Sequence, residues 1–154
     1  MKIYFLLLVL LFCFTDCKND KSDTYTDVTS VYSKISDPTH PGKKLMETYC
    51  YACHDATTTE DKRLAPPMIA IKNRYIFKST TKAEFTDAMQ NWIKNPNEKD
   101  AKMFGAVKRF GVMAKLPYPE DVISKISDYI YDNDIEQPEW FQEHYNQKRG
   151  KGMY

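Results

Sequence analysis

The sequence predicts an all-α domain of about four to five helices, and three observations carry that expectation. Phe85, Ala88, Met89, Trp92 and Ile93 recur at the spacing of one helical face. Val122, Ile123, Ile126, Tyr129 and Ile130 form a second such stripe. The stretch around Cys50 to His54 has none of the alternation that a strand would need.

Each element can be justified in turn. Pro41-Gly42 opens a short helix through Tyr49, with Leu45, Met46 and Tyr49 as its apolar stripe. Residues 55 to 65 are polar and read as a loop. Ala65-Pro66-Pro67-Met68 is a rigid, donor-poor turn. Met68 to Phe77 is apolar but short, which leaves helix and extended loop both open. Thr81-x-x-Glu84 matches a capping box, so the stripe beginning at Phe85 belongs to a helix that Asn95-Pro96 ends. A further helix is expected from about Glu98 to Phe110, with Met103, Phe104, Val107 and Phe110 inward and Gly111 as its C-cap. The last strong helix starts at Pro119, with Glu120 and Asp121 in its first turn. Residues 133–154 form a polar C-terminal extension carrying Trp140, Phe141 and Tyr145, which either wraps the domain or docks a partner.

The chain has 154 residues, enough for one domain, and a net charge of +1. Lys and Arg are scattered among Asp and Glu, and no basic stripe argues for nucleic acid. Lys2 followed by the apolar run Ile3 to Phe14 reads as an export signal, because it falls short of the roughly 20 apolar residues of a membrane span. We assign residues 1–17 to that signal. Cys17, ahead of Lys18-Asn19-Asp20, resembles the lipidated cysteine of bacterial lipoproteins. Asp16 departs from the small residue usual before it, and Cys13 is a less natural choice. Residues 18–40, rich in Ser, Thr, Asp and Lys, read as a flexible linker that leaves a domain at 41–132 tethered to a periplasm-facing membrane.

The centre of the sequence is Cys50-Tyr51-Ala52-Cys53-His54. Two cysteines three positions apart, followed at once by histidine, match a c-type haem attachment site. Each thiol adds to one haem vinyl group, so both must reach one edge of a single porphyrin, and His54 then supplies a neutral imidazole to the iron. A Pro carbonyl in the turn that follows can accept the His54 Nδ1–H and set which ring nitrogen faces the metal. The same cysteines could be a thiol–disulfide pair or half of a zinc site. A zinc site wants a second pair of ligands, however, and His40 and His144 stand alone in the sequence.

A sixth ligand is sought among the methionines. Met46, Met89 and Met103 fall on helical stripes that core packing explains, and Met68 lies beside the turn on the His54 side. Met113 lies in Gly111-Val112-Met113-Ala114-Lys115-Leu116-Pro117, where no periodic stripe claims it.

Together these residues resemble the class I c-type cytochromes over about residues 40 to 132. The resemblance implies a helical bundle around one covalent haem held by Cys50 and Cys53, with His54 and Met113 as axial ligands and Pro66 as the carbonyl facing His54. It also implies a crossing of the first and last helices near Gly42, Tyr49 and Tyr129. The expected function is an electron carrier, not an enzyme, that shuttles single electrons between exported or membrane-bound redox proteins such as an oxidase, reductase or dehydrogenase. A haem-based sensor or small peroxidase-like enzyme with an exchangeable sixth ligand is the alternative. Lys108, Arg109 and Lys115 flank the Met113 loop and are candidates for a rim that steers an acidic partner.

Overall fold

A computed structural model describes residues 37–150, with side chains through 148. The export segment, Cys13, Cys17 and the linker up to residue 36 lie outside the described residues. Those described are all-helical, with seven helices and no strand. They are α1 Pro41–Tyr49, α2 Tyr51–His54, α3 Met68–Tyr75, α4 Lys82–Lys94, α5 Phe104–Phe110, α6 Glu120–Asp132 and α7 Phe141–Gly150. The excess over four to five comes from the single turn of α2, from α3, and from α7 in the extension.

The first and last strong helices make the frame, because α6 packs against both α1 and α4. Gly42 is what lets α1 approach. A Cβ there would lie 2.0 Å from the Lys125 carbonyl oxygen and 2.7 Å from the Tyr129 Cβ. The crossing expected of Gly42 and Tyr129 is therefore present. Tyr49 takes no part in it: it is 40% exposed and meets Tyr118 edge-on, with ring centroids 6.0 Å apart. Met46, Phe85, Ile126, Tyr129 and Ile130 fill the core between the three helices. Fully burying side chains of this kind stabilises a fold by roughly 1.5–3 kcal/mol each.

Local chemistry sets the helix ends. Thr81 Oγ1 accepts from the Glu84 N–H at 3.3 Å, and Glu84 Oε2 accepts from the Thr81 N–H at 2.7 Å, which closes the capping box on α4. Gly111 ends α5 with φ of 80°, a left-handed value that glycine adopts without steric cost. α5 begins at Phe104 rather than near Glu98. The Asn97 side chain accepts from the Asp100 N–H at 3.0 Å, so side-chain turn bonding replaces the first helical turns. Phe104, expected inward, is 66% exposed at the start of the shortened helix.

Residues 37–40, read as the end of the linker, belong to the folded unit. The Asp37 N–H donates to Asn133 Oδ1 at 2.9 Å. His40 caps α1, its Nδ1 accepting from the Gly42 N–H at 3.0 Å while Nε2 lies 3.1 Å from Asp128 Oδ2. The extension wraps the domain, with Ile135 and Phe141 buried. Trp140 Nε1 donates to the Thr58 carbonyl at 3.0 Å, and His144 Nδ1 lies 2.9 Å from Glu60 Oε1. Both histidines left alone by the sequence pattern thus have structural partners.

Candidate functional site

α1 delivers the Cys50–His54 stretch to one lip of a cleft of about 330 Å³. The Cys50 N–H donates to the Met46 carbonyl at 2.8 Å, and the His54 N–H to the Cys50 carbonyl at 2.9 Å, so α2 turns directly off the end of α1. Cys50 and Cys53 are both free thiols lining the cleft, Cys50 half-buried and Cys53 exposed. Burial pushes the Cys50 thiol up to about 11. Among the described residues, no group of three or more His, Cys, Asp or Glu converges to hold a metal ion.

His54 lines the same cleft, with Nδ1 2.7 Å from the Pro66 carbonyl oxygen. A carbonyl only accepts, so Nδ1 carries the hydrogen and Nε2 keeps its lone pair. Burial pushes the imidazole pKa below its ordinary value, with the Pro66 bond working the other way. The ring is thereby held neutral and oriented, the state in which imidazole serves as a metal ligand. The expected Pro66 partner is thus the one found.

The loop between His54 and Pro66 is held in ways that spacing arguments do not reach. The Asp55 carboxylate accepts from the N–H groups of Thr57 and Thr58 at 2.7 and 2.6 Å, and from the Thr58 hydroxyl at 2.6 Å. The Thr58 hydroxyl is the largest of the effects that draw its pKa down to about 2. The Glu60 carbonyl accepts from Arg63 Nη1 at 2.8 Å and from Arg109 Nη2 at 2.7 Å. Arg63 lies between Trp140 and Phe110, 4.4 and 5.5 Å from their ring centres. The Asp-x-Thr-Thr pattern is the one signal that could have flagged this loop in advance, as a side-chain-bonded turn.

Met113 lines the cleft along with its neighbours Val112 and Ala114. It is the residue of the 111–117 loop that is not exposed. Met68, Met89 and Met103 also line the cleft. Met68 and Met89 are buried in the core, whereas Met103 sits at the N-cap of α5 rather than on a helical stripe. Among the described residues the cleft lining includes no carboxylate, and Lys102 is its one Lys or Arg. Exposed apolar side chains gather at its mouth: Tyr49, Leu64, Val112 and Leu116 are 40, 69, 37 and 48% exposed. Lys108 and Lys115 are exposed beside this loop, but Arg109, grouped with them on sequence, is engaged by Glu60.

Comparison of the chain with protein-family models, with curated proteins and with solved structures finds no match in any of the three.

Proposed function

We propose that the chain is a class I monohaem cytochrome c, tethered through Cys17 to a periplasm-facing membrane, that passes single electrons between redox proteins. The observation that carries the reading is the His54 site. A neutral imidazole, its Nδ1–H taken by the Pro66 carbonyl, stands one residue after two free thiols on the lip of a largely apolar cleft. The lining fits a flat hydrophobic macrocycle. It is mostly apolar and free of carboxylates, and it leaves large apolar side chains at its mouth that such a ligand would cover.

In this reading Cys50 and Cys53 would hold haem as thioethers, and His54 and Met113 would ligate its iron. When bound, haem supplies an iron that takes up and returns one electron. The chain's own residues do the rest. Pro66 orients His54 and raises its basicity as a ligand. Met113, a soft thioether in the cleft lining, would be the second ligand and would raise the potential. The apolar lining keeps water and carboxylates from the metal and disfavours the more highly charged oxidised state. With His54 and Met113 both ligating, no position on the iron would be left for a substrate, which would separate an electron carrier from a sensor or peroxidase-like enzyme.

The test is the visible and near-infrared spectrum of protein matured in a host competent for haem ligation. The expected result is one covalent haem per chain and, in the ferric state, the weak near-infrared sulfur-to-iron band, which Met113→Ala abolishes. A colourless product without added mass ends the proposal. A coloured product that lacks the band and binds cyanide rapidly favours the exchangeable sixth site instead.

A further inference from the structure

A second cavity, of about 430 Å³, shares part of its lining, Pro66 included, with the cleft. It is bounded by Pro66 and Pro67, by α5 and by the start of α7. The two hollows share Pro66, Lys102, Met103, Ala106 and Phe110 as a common wall. Their linings differ in kind. Among the described residues six cationic or potentially cationic side chains line the second cavity, Arg63, Arg74, Lys102, Arg109, His144 and Lys148, and no carboxylate does. Four aromatic rings, Phe104, Phe110, Trp140 and Phe141, supply its walls.

The ion pairs among the described residues are shared unevenly over these groups. Glu60 Oε1 lies 2.9 Å from His144 Nδ1, 3.7 Å from Arg109 Nη1 and 3.9 Å from Arg63 Nη1, so one carboxylate serves three groups. The ion pairs among the described residues bring no carboxylate to Arg74, Lys102 or Lys148. Arg74 Nε donates to the Lys102 carbonyl at 2.7 Å, and Lys102 Nζ stands 4.7 Å from the centre of the Tyr75 ring. Like charges gathered in a walled cavity repel one another and focus a positive potential into it.

We propose that this cavity binds a small anion with a flat apolar body, such as an aromatic carboxylate or aryl phosphate. The cations set the sign of the ligand, and arginine forks suit carboxylate or phosphate oxygens. The aromatic walls set the body, because a hydrated inorganic ion would leave them uncovered. The volume falls within the range of small-molecule sites. The site is built from the polypeptide alone and does not rest on the haem reading. The spectrum tests that reading and ligand binding tests this one, so either can fail separately.

The experiment is calorimetric titration of the full-length protein recovered from the haem-competent host, whether or not it carries haem, with 2-naphthoate, with 2-naphthylmethanol as the neutral control. The indole N–H resonance of Trp140, assigned with Trp140→Phe, is followed in parallel. Naphthoate should bind and move that resonance, with affinity falling as salt is raised. The alcohol should bind at least about tenfold more weakly. Arg74→Gln and Lys148→Gln, made singly and together, should each weaken naphthoate while the far-ultraviolet dichroism stays that of the parent. Should the double variant not fold, the single variants carry the test. Equal binding of the alcohol would reduce the site to an apolar groove and overturn the proposal. So would unchanged affinity in the folded variants. The absence of any heat or shift at millimolar naphthoate would also overturn it, whether the cavity is closed or already filled by carboxylates of the haem in the adjoining cleft.

Discussion

The two walls of the cleft are made differently. The wall carrying His54 is tied at every level: backbone bonds to Met46 and Cys50, the Pro66 carbonyl on the ring, the Asp55 turn behind it, and Trp140 on the Thr58 carbonyl. The wall carrying Met113 is tied at its ends. The Gly111 N–H donates to Val107 at 2.8 Å and the Tyr118 N–H to Leu116 at 2.9 Å, while residues 112–117 donate no backbone bond among the described residues. One wall is organised by the polypeptide before any ligand arrives. The other takes its position from what its side chains touch inside the cleft. This is a workable division for the proposed haem site, since a preorganised imidazole would fix one ligand while a looser loop could adjust to supply the other.

The sharpest way to break the comparison is at the root of the His54 wall. Gly42 sits where α1 meets α6, and any side chain there must displace the Lys125 carbonyl. Gly42→Val should cost about 3 kcal/mol of folding stability, at the upper end of ordinary overpacking, because backbone rather than a flexible side chain is in the way. Chemical denaturation measures it as a lowered midpoint with unchanged slope. A variant that denatures like the parent would mean that α1 does not need this approach and that its wall is held by something else.

Much of this was legible beforehand, and the reason is locality. The capping box on α4, the glycine ending α5 and the buried stripe of α6 all involve chain neighbours or one helical face, whereas Pro66 as the partner of His54 is what the family resemblance implies. What was missed depends on long-range contact. Trp140 reaches Thr58 across 82 positions, and Asp37 reaches Asn133 across 96, so no periodicity reports either. Spacing puts Phe104 and Tyr49 on apolar stripes, but the chain starts or stops its helix at those residues and leaves them at the edge. The Asn97 turn could have been anticipated, since asparagine side chains compete with helix bonding for the backbone.

A smaller effect comes from the ion cluster that ties α6 to both of its partners. Asp128 Oδ1 lies 2.7 Å from Lys82 Nζ on α4, and Oδ2 lies 3.1 Å from His40 Nε2 at the head of α1. The Lys82 hydrogen bond is the largest of the effects that hold the Asp128 carboxyl below its ordinary value of 3.8. A depressed carboxylate pKa contributes stability that is present above the unfolded value and lost as pH falls through the folded one. Asp128→Asn should therefore cost roughly 0.5–1 kcal/mol at pH 6, a modest figure because the pair is open to solvent. The gap to wild type should close as pH falls below about 3.8. A gap that persists in acid would assign the effect to packing instead of charge.

The smallest expected effect on stability separates the walls through three neighbouring cations. Arg109 donates to the Glu60 carbonyl and so braces the loop behind His54, whereas Lys108 and Lys115 stand exposed beside the Met113 loop. Lys108→Ala combined with Lys115→Ala should change stability by less than about 0.5 kcal/mol, as surface substitutions do. If these lysines steer an acidic redox partner, the double variant should exchange electrons several-fold more slowly at low salt and nearly normally at high salt, where the field is screened. Arg109→Ala should behave in the opposite way, lowering the denaturation midpoint with little salt dependence in the rate. Equal slowing at both salt concentrations would remove steering from the lysines. A fully stable Arg109→Ala with a salt-sensitive rate would return that residue to the rim and erase the distinction between the two walls at this point.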